Sequence, residues 1–184
     1  MELNIDKNWT LFLDRDGVIN KKRENDYVKN WSEFSLSNRA LEAISRLSSM
    51  FGKIIVVTNQ RGVGKGIMSE MQLLSIHDKL TKAVNLSAGR IDKIYYCTDI
   101  YETSENRKPN IGMAIKAKTD FPEIDFRKSI MIGDSKSDME FGKRLSMYTI
   151  YISKLELEEE LLKLADYKCD SLFHAAKYLS NTYF

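Results

Sequence analysis

The stretch LFLDRDGVIN, residues 11–20, joins an apolar run directly to two carboxylates and a glycine. The apolar residues predict a buried strand over Thr10 to Leu13, with Asp14 and Asp16 at its C-terminal end. In open α/β sheets, ligands bind at this end of the strands. Because Asp-x-Asp-Gly also occurs in ordinary turns, its interpretation depends on the motifs that follow along the chain.

Apolar runs and helical patterns alternate along the rest of the sequence. Further strands are predicted at residues 53–57, 91–97, 126–132 and 148–152, with an edge strand at 166–169. One helix is predicted to open at Ser69, with Gln72 completing a capping box, and the glycine-rich segment 61–66 before it is predicted to be a flexible turn. The alternation predicts an α/β fold with a doubly wound parallel sheet, in a single domain over residues 1–184 without a separate cap.

The composition excludes several classes of protein. The chain has 184 residues, of which 43% are apolar and 29% charged, and its net charge of +2 disfavours a nucleic-acid partner. The longest apolar run, residues 54–57, is far shorter than the ~20 residues of a membrane span, and the N-terminus lacks signal-peptide features. Cys97 and Cys169 are too few for a disulfide framework. We therefore expect a cytoplasmic protein; the sequence does not specify its oligomeric state.

Chemically active side chains recur in four elements, three of which directly follow apolar runs. In chain order these side chains are Asp14 and Asp16, Thr58, Lys108, and Asp134 and Asp138. Carboxylates crowded at one edge of a sheet repel one another unless a cation lies among them, and hard oxygen ligands favour Mg²⁺. A cation, a lysine and a hydroxyl together suit a phosphoryl group, because they offset its charge and donate hydrogen bonds.

The motifs DRDGVIN, VVTNQRG, RKPN and MIGDSKSD, in this order, resemble those of the haloacid dehalogenase superfamily of phosphohydrolases. The resemblance covers residues 11–154. TNQRGVGKG, IYYC and RKPNIGM are most similar to the heptose 1,7-bisphosphate 7-phosphatases and the related histidinol-phosphate phosphatases. The resemblance implies a capless Rossmann-like fold and Mg²⁺-dependent hydrolysis of a small phosphorylated sugar, with a heptose 1,7-bisphosphate as the first expectation.

The resemblance also implies a role for each matching residue. Asp14 would be the nucleophile that forms an aspartyl-phosphate, and Asp16 would act as general acid and then as general base. Thr58 and Lys108 would hold the phosphoryl oxygens. Mg²⁺ would be held by the side chains of Asp14 and Asp134 and the carbonyl of Asp16, with Asp138 as an additional or outer ligand. The candidates for contacting the rest of the substrate are Lys21, Arg23, Tyr27, Asn59, Gln60, Arg61 and Arg107.

The chain also departs from the pattern of those relatives. They usually carry a zinc loop of three cysteines and a histidine before the Arg-Lys-Pro motif, whereas residues 98–106 contain neither residue type, so we predict no structural zinc. Ser135 stands where the heptose enzymes usually have lysine. Three alternatives remain: a histidinol-phosphate phosphatase, a polynucleotide 3′-phosphatase, and a non-catalytic domain that binds a phosphorylated ligand. His77, beside a buried helical stripe, is interpreted as a structural histidine.

Overall fold

A six-stranded sheet, parallel throughout, organises the computed structural model, which describes residues 3–156 and 159–182. The strands are β1 (Thr10–Leu13), β2 (Lys53–Asn59), β3 (Lys93–Cys97), β4 (Ser129–Gly133), β5 (Tyr148–Ile152) and β6 (Tyr167–Cys169). Their order in the sheet is β3-β2-β1-β4-β5-β6. The predicted doubly wound parallel sheet is confirmed.

Helices connect the strands and cover both faces of the sheet. They are α1 (Ala40–Met50), α2 (Arg61–Gly64), α3 (Glu70–Leu86), α4 (Gly112–Asp120), α5 (Lys136–Arg144), α6 (Glu159–Leu164) and α7 (Leu172–Thr182). Short 3₁₀ turns lie at Trp31–Glu33 and Phe126–Lys128. Among the described residues, no helix is long and apolar enough to cross a lipid bilayer.

Alternate residues of the central strands enter two separate hydrophobic cores. Leu11 and Leu13 of β1 belong to the core formed with α1, α3 and α7, whereas Phe12 points into the core formed with α4 and α5. All four residues of β1 are buried. Burial on both faces explains why the central strands are nearly continuous apolar runs, as is usual for parallel sheets covered by helices.

Several predicted boundaries are correct and others need revision. β1 and β5 have the predicted limits, and Ser69 and Gln72 form the predicted capping box. The glycine-rich segment 61–66 is not simply a turn, because residues 61–64 form the short helix α2. The sequence also predicts Ser37 or Asn38 as the cap of α1, but the helix begins only at Ala40, because Arg39 adopts a left-handed conformation with a φ of 55°.

The chain reverses its winding direction around β1. From β1 it proceeds to β2 and β3 on one side of the sheet, and later to β4, β5 and β6 on the other. The connections that leave the carboxyl ends of β1 and β4 therefore separate and open a crevice between them, where ligands bind in sheets of this kind. Residues 14–39, which join β1 to α1, contain only the Trp31–Glu33 turn as regular structure, so the crevice has no cap in this segment.

Candidate active site

The carboxyl ends of three adjacent strands meet at this crevice. Leu13 of β1 is in register with Val56 of β2 and with Ile132 of β4. Asp14, Thr58 and Asp134 follow these positions closely, so the sheet brings residues from distant parts of the sequence to one edge. The predicted clustering of strand-end polar groups is therefore present.

A buried lysine links two carboxylates at the floor of the crevice. Lys108 Nζ lies 2.7 Å from Asp14 Oδ1 and 2.5 Å from Asp138 Oδ1, and it donates a 2.7 Å hydrogen bond to the carbonyl of Val57. All three charged side chains are buried. Burial alone would lower the pKa of Lys108, but the two carboxylates outweigh this effect and raise it above its ordinary value. Lys108 is therefore a fixed positive charge beside Asp14.

Asp134 adds a third carboxylate and leaves the cluster with excess negative charge. Ligand oxygens of Asp14, Asp134 and Asp138 all lie within 4.8 Å of one another. Burial raises the pKa of Asp14 and Lys108 lowers it; with the neighbouring carboxylates Asp138 and Asp134, which also raise it, the net pKa is about 7. Three carboxylates that share one buried ammonium fit a hard divalent cation, because oxygen-rich, negatively charged sites favour Mg²⁺ or Ca²⁺.

Asp138 is fixed by the start of helix α5. Its Oδ2 accepts hydrogen bonds from Ser135 Oγ at 2.5 Å and from the Ser135 amide at 3.1 Å, while its Oδ1 pairs with Lys108. Ser135 and Asp138 together form a capping box, which ties the orientation of this carboxylate to the stability of the helix. Asp138 therefore has a clear positioning role towards Lys108, besides belonging to the carboxylate cluster.

Asp16 is held differently from the other acids. Its carboxylate accepts hydrogen bonds from Arg15 Nη2 at 2.8 and 3.0 Å, from Asn20 Nδ2 at 2.9 Å and from Gln60 Nε2 at 2.8 Å. Burial alone would raise the pKa of Asp16, but the Arg15 guanidinium and the other donors outweigh burial and hold it below its ordinary value. The conformation seen here therefore favours the ionised, proton-accepting form of Asp16.

Thr58 brings a hydroxyl group to the crevice. Its Oγ1 accepts a 2.8 Å hydrogen bond from Gln60 Nε2, so its own hydrogen is left to donate, and the residue lines the crevice. Asn59 makes two hydrogen bonds to the backbone of Lys108. Its Nδ2 donates to the Lys108 carbonyl at 3.1 Å, and its Oδ1 accepts from the Lys108 amide at 3.0 Å. These contacts position the phosphate-holding residues that the sequence predicted.

The crevice is a small open cavity of about 230 Å³. Of the residues predicted to contact the rest of the substrate, Asn59 and Arg107 line it, together with Lys22 of the flap at residues 21–27. The predicted residues that do not line it are Lys21, Arg23, Tyr27, Gln60 and Arg61.

The side chains of Arg23, Arg61 and Tyr27 contact residues outside the crevice. Arg23 pairs with Asp26 and Glu33 of its own loop, at 3.0 and 2.9 Å, and Arg61 donates to the carbonyl of Ile100 at 2.9 Å. The Tyr27 ring packs on α2 at Gly62. Gln60 is buried and bonded to other residues of the site, so we assign it a positioning role in place of the predicted substrate contact.

Sequence reasoning missed the contacts of two residues at the site, Arg15 and Lys22. Arg15 is buried between the two catalytic candidates of the DRD motif and contacts Asp16, Gln60 and His77. Lys22 Nζ pairs with Asp134 Oδ2 at 2.9 Å. The position of Arg15 inside the motif was an available signal, but nothing in the sequence connects it with His77, 62 positions away.

Two glycines allow the backbone to approach the carboxylates. Gly17 has a φ of +93°, and a Cβ there would overlap the Asp134 side chain. A Cβ at Gly133 would overlap Asp138 in the same way. Both positions therefore require glycine, because any side chain would displace an acid of the cluster.

A family model described as "Polynucleotide kinase 3 phosphatase" matches residues 9–173. The chain belongs to this family. The match contains all six strands and every strand-end residue discussed above.

Several relatives of the chain are named as phosphatases. The chain is 37% identical over 141 residues to a D-glycero-alpha-D-manno-heptose-1,7-bisphosphate 7-phosphatase of Mycobacterium tuberculosis, covering 75% of this chain and 73% of the relative. It is 35% identical over 153 residues to a protein of the same name from Campylobacter jejuni, covering 83% and 87%. The chain is therefore a phosphatase, as predicted.

The fold has a close match among solved structures. The D,D-heptose 1.7-bisphosphate phosphatase from B. bronchiseptica, crystallised with magnesium and phosphate, superposes with a TM-score of 0.81 at 25% identity, covering 94% of this chain and 98% of that one. A haloacid dehalogenase-like hydrolase from Streptococcus pneumoniae shares the fold at 14% identity, with a TM-score of 0.58. The chain therefore has the fold of haloacid dehalogenase-like hydrolases, as predicted.

Proposed function

We propose that this phosphatase removes the 7-phosphate of a heptose 1,7-bisphosphate in a Mg²⁺-dependent reaction that passes through an aspartyl-phosphate. The observation that carries the chemistry is the contact between Asp14 and the buried ammonium of Lys108, with Asp134 and Asp138 beside them. The names of the relatives support the substrate, and the magnesium and phosphate in the B. bronchiseptica crystal support the cofactor.

The residues of the chain divide the reaction between them. A carboxylate oxygen of Asp14 attacks phosphorus, and the bond from phosphorus to the sugar oxygen breaks. Lys108 neutralises negative charge on the phosphoryl oxygens, and Thr58 donates a hydrogen bond to them. Both side chains are already held in place, Lys108 by Asp14 and Thr58 by Gln60. Asp16, which must first take up a proton, gives it to the departing sugar oxygen. Ionised once more, it accepts a proton from the water that attacks the aspartyl-phosphate and releases Asp14.

The donor set of the carboxylate cluster fits Mg²⁺. The ion would be held by the side chains of Asp14 and Asp134 and by the carbonyl of Asp16. When bound, it supplies positive charge that offsets the charge of the phosphoryl group. Lys22, which contacts Asp134 in the present structure, is the residue of the chain that such an ion would have to displace or accommodate.

Arg107 is the candidate for recognising the second phosphate. It lines the crevice, and among the described residues its guanidinium makes only one hydrogen bond, a long 3.5 Å contact to the carbonyl of Asp99. Burial, together with the nearby Arg61, lowers the pKa of Arg107, so its positive charge is incompletely solvated. An anionic group of the substrate would compensate this charge, and a guanidinium can bind a phosphate through two hydrogen bonds.

The decisive experiment is phosphate release with Mg²⁺ across a panel of substrates. The panel contains both anomers of heptose 1,7-bisphosphate, other sugar bisphosphates, histidinol phosphate and a 3′-phosphorylated oligonucleotide, with Asp14→Asn as the inactive control. We expect the α anomer to have the highest kcat/KM, because both curated relatives described above are named for it. Preference for histidinol phosphate or the oligonucleotide would overturn the proposed substrate, and no turnover of any phosphomonoester would overturn the proposed reaction.

The oligonucleotide is the second candidate because the matching family model is described as a polynucleotide phosphatase. Charge reversal at Arg107 separates the candidates further. Arg107→Glu should raise the KM for bisphosphates far more than for monophosphates, whereas Lys79→Glu, the same charge change at an exposed position of α3, should have little effect on either. An unchanged KM for every bisphosphate would exclude Arg107 from recognition of the second phosphate.

A further inference from the structure

A chain of buried side chains runs from helix α3 to the carboxylate of Asp16. Arg15 Nη1 lies 3.0 Å from His77 Nε2, and Arg15 Nη2 lies 2.8 Å from Asp16 Oδ2 and 3.2 Å from Gln60 Oε1. The side chain of Arg15 is only 1% exposed, and His77 is buried on α3 beside Ile76 and Leu80. The guanidinium therefore has a fixed place, with His77 at one end and Asp16 at the other.

The protonation of His77 agrees with its place in this chain. Burial and the neighbouring Arg15 lower the pKa of His77 to about 3, so the imidazole is neutral at physiological pH. A guanidinium can only donate hydrogen bonds, so the nitrogen that faces Arg15 must be the unprotonated acceptor of the ring. The histidine thus receives a hydrogen bond from Arg15 and does not compete with it for Asp16.

Packing alone does not explain this arrangement. A buried guanidinium is costly, and an apolar side chain would be at least as stable in a core. Arg15 Nε also lacks a hydrogen-bond partner among the described residues, so the fold does not fully satisfy the group. The contacts that Arg15 does make are directed to His77, Asp16 and Gln60, and the last two belong to the site.

We propose that His77 is a positioning residue for the phosphatase reaction, which acts through Arg15 to hold the Asp16 carboxylate ready to accept a proton. This inference rests on the proposed function. In the second half of the reaction, water attacks the phosphorus of the aspartyl-phosphate, the bond from Asp14 to phosphorus breaks, and Asp16 takes the proton of the water. If Arg15 loses its contact with His77, the guanidinium can rotate and Asp16 loses its orientation.

Two substitutions at His77 separate positioning from packing. His77→Leu fills a similar volume but cannot accept a hydrogen bond, whereas His77→Gln places an amide oxygen where Nε2 now lies. With 4-nitrophenyl phosphate, whose leaving group needs no proton, we expect His77→Leu to slow hydrolysis of the aspartyl-phosphate by about 10–100-fold. The acid-quenched enzyme should then contain more trapped aspartyl-phosphate than wild type, and His77→Gln should restore most of the rate.

The Asp16→Asn background provides the critical comparison. If His77 acts through Asp16, His77→Leu should have almost no further effect on hydrolysis in that background, because the residue it positions has lost its function. Equal slowing in both backgrounds, or failure of His77→Gln to restore the rate, would overturn the proposal and indicate a role in packing only.

An independent measurement does not depend on turnover. The ¹⁵N-labelled guanidinium of Arg15 should give resolved NMR signals in wild type and in His77→Gln, but averaged signals in His77→Leu, because Nη1 loses its hydrogen-bond partner and the guanidinium rotates faster. Resolved signals in His77→Leu would refute immobilisation by His77. If wild type hydrolyses no phosphomonoester, the proposed function fails, and the NMR result still decides whether His77 holds Arg15.

Discussion

Asp14→Asn and Asp16→Asn should change the stability of the protein in opposite directions, although the two aspartates lie only two positions apart. Replacing a carboxylate by an amide removes a charge and keeps the shape of the side chain. Asp14 is buried among other carboxylates, and its pKa of about 7 lies about three pH units above the ordinary value. The fold therefore penalises the ionised form of Asp14, and we expect Asp14→Asn to stabilise the metal-free protein.

The size and pH dependence of this effect follow from linkage. Each pKa unit corresponds to about 1.4 kcal/mol, so relief of the penalty is worth up to about 4 kcal/mol at pH 8. A carboxyl group whose pKa is raised on folding costs stability progressively as pH rises from its unfolded to its folded pKa. The gain from Asp14→Asn should therefore grow between pH 4 and pH 7 and level off above pH 7.

Thermal unfolding in EDTA measures the difference directly. For a chain of this length, 4 kcal/mol corresponds to an increase in melting temperature of roughly 8–16 °C at pH 8. Added Mg²⁺ should narrow the gap, because it stabilises wild type through the Asp14 carboxylate. A melting temperature of Asp14→Asn at or below that of wild type at pH 8 would refute the reasoning.

Asp16→Asn is the matched control and should be destabilising. The pKa of Asp16 is held below its ordinary value, chiefly by Arg15 against the opposing effect of burial, so its ionised form stabilises the fold at neutral pH. Removing the charge leaves the buried Arg15 guanidinium without a counter-ion, which costs about 3 kcal/mol. This contribution should persist through the neutral range and disappear only as pH falls through the lowered pKa of Asp16.

Further predictions concern the rim, the loop and a helix cap. Lys22→Met should lower the Kd for Mg²⁺ measured by calorimetry, because Lys22 pairs with Asp134; an unchanged Kd would show that this pair does not compete with the ion. Asn110→Ala should raise the KM for bisphosphates with little change in kcat, since Asn110 Nδ2 binds the carbonyls of Glu102 and Ser104 and shapes the loop before Arg107. Ser69→Ala should lower the free energy of unfolding by about 1 kcal/mol in urea denaturation, because it removes the cap of α3.

Local sequence patterns predicted most of the sheet and the reacting groups. The strands are apolar runs buried on both faces, and the parallel topology brings their polar ends together, so Asp14, Thr58 and Asp134 could be placed without coordinates. Lys108 does not follow an apolar run and lies in a loop whose path the sequence does not determine. Its place near them therefore depended on the order of the motifs along the chain and on their resemblance to known phosphatases.

The orientation of the surrounding side chains could not be predicted in the same way. Lys22 reaches Asp134, whereas Arg23 pairs with acids of its own loop, and this choice depends on a loop conformation without periodicity. The contact between Arg15 and His77 joins two elements through tertiary packing. Helix propensity was also overridden at α1, where the left-handed Arg39 delays the first turn.

The tight approach of Gly17 and Gly133 to the acids divides the protein into parts with different capacity for change. A substitution at either glycine would move Asp134 or Asp138 directly. The floor of the crevice therefore tolerates little change in sequence. The flap at residues 21–27 and the loop at residues 98–106 contain no glycine, so they have no position of this kind beside the acids. Descendants of this protein could therefore acquire new substrates by exchanging these loops while inheriting the same chemistry.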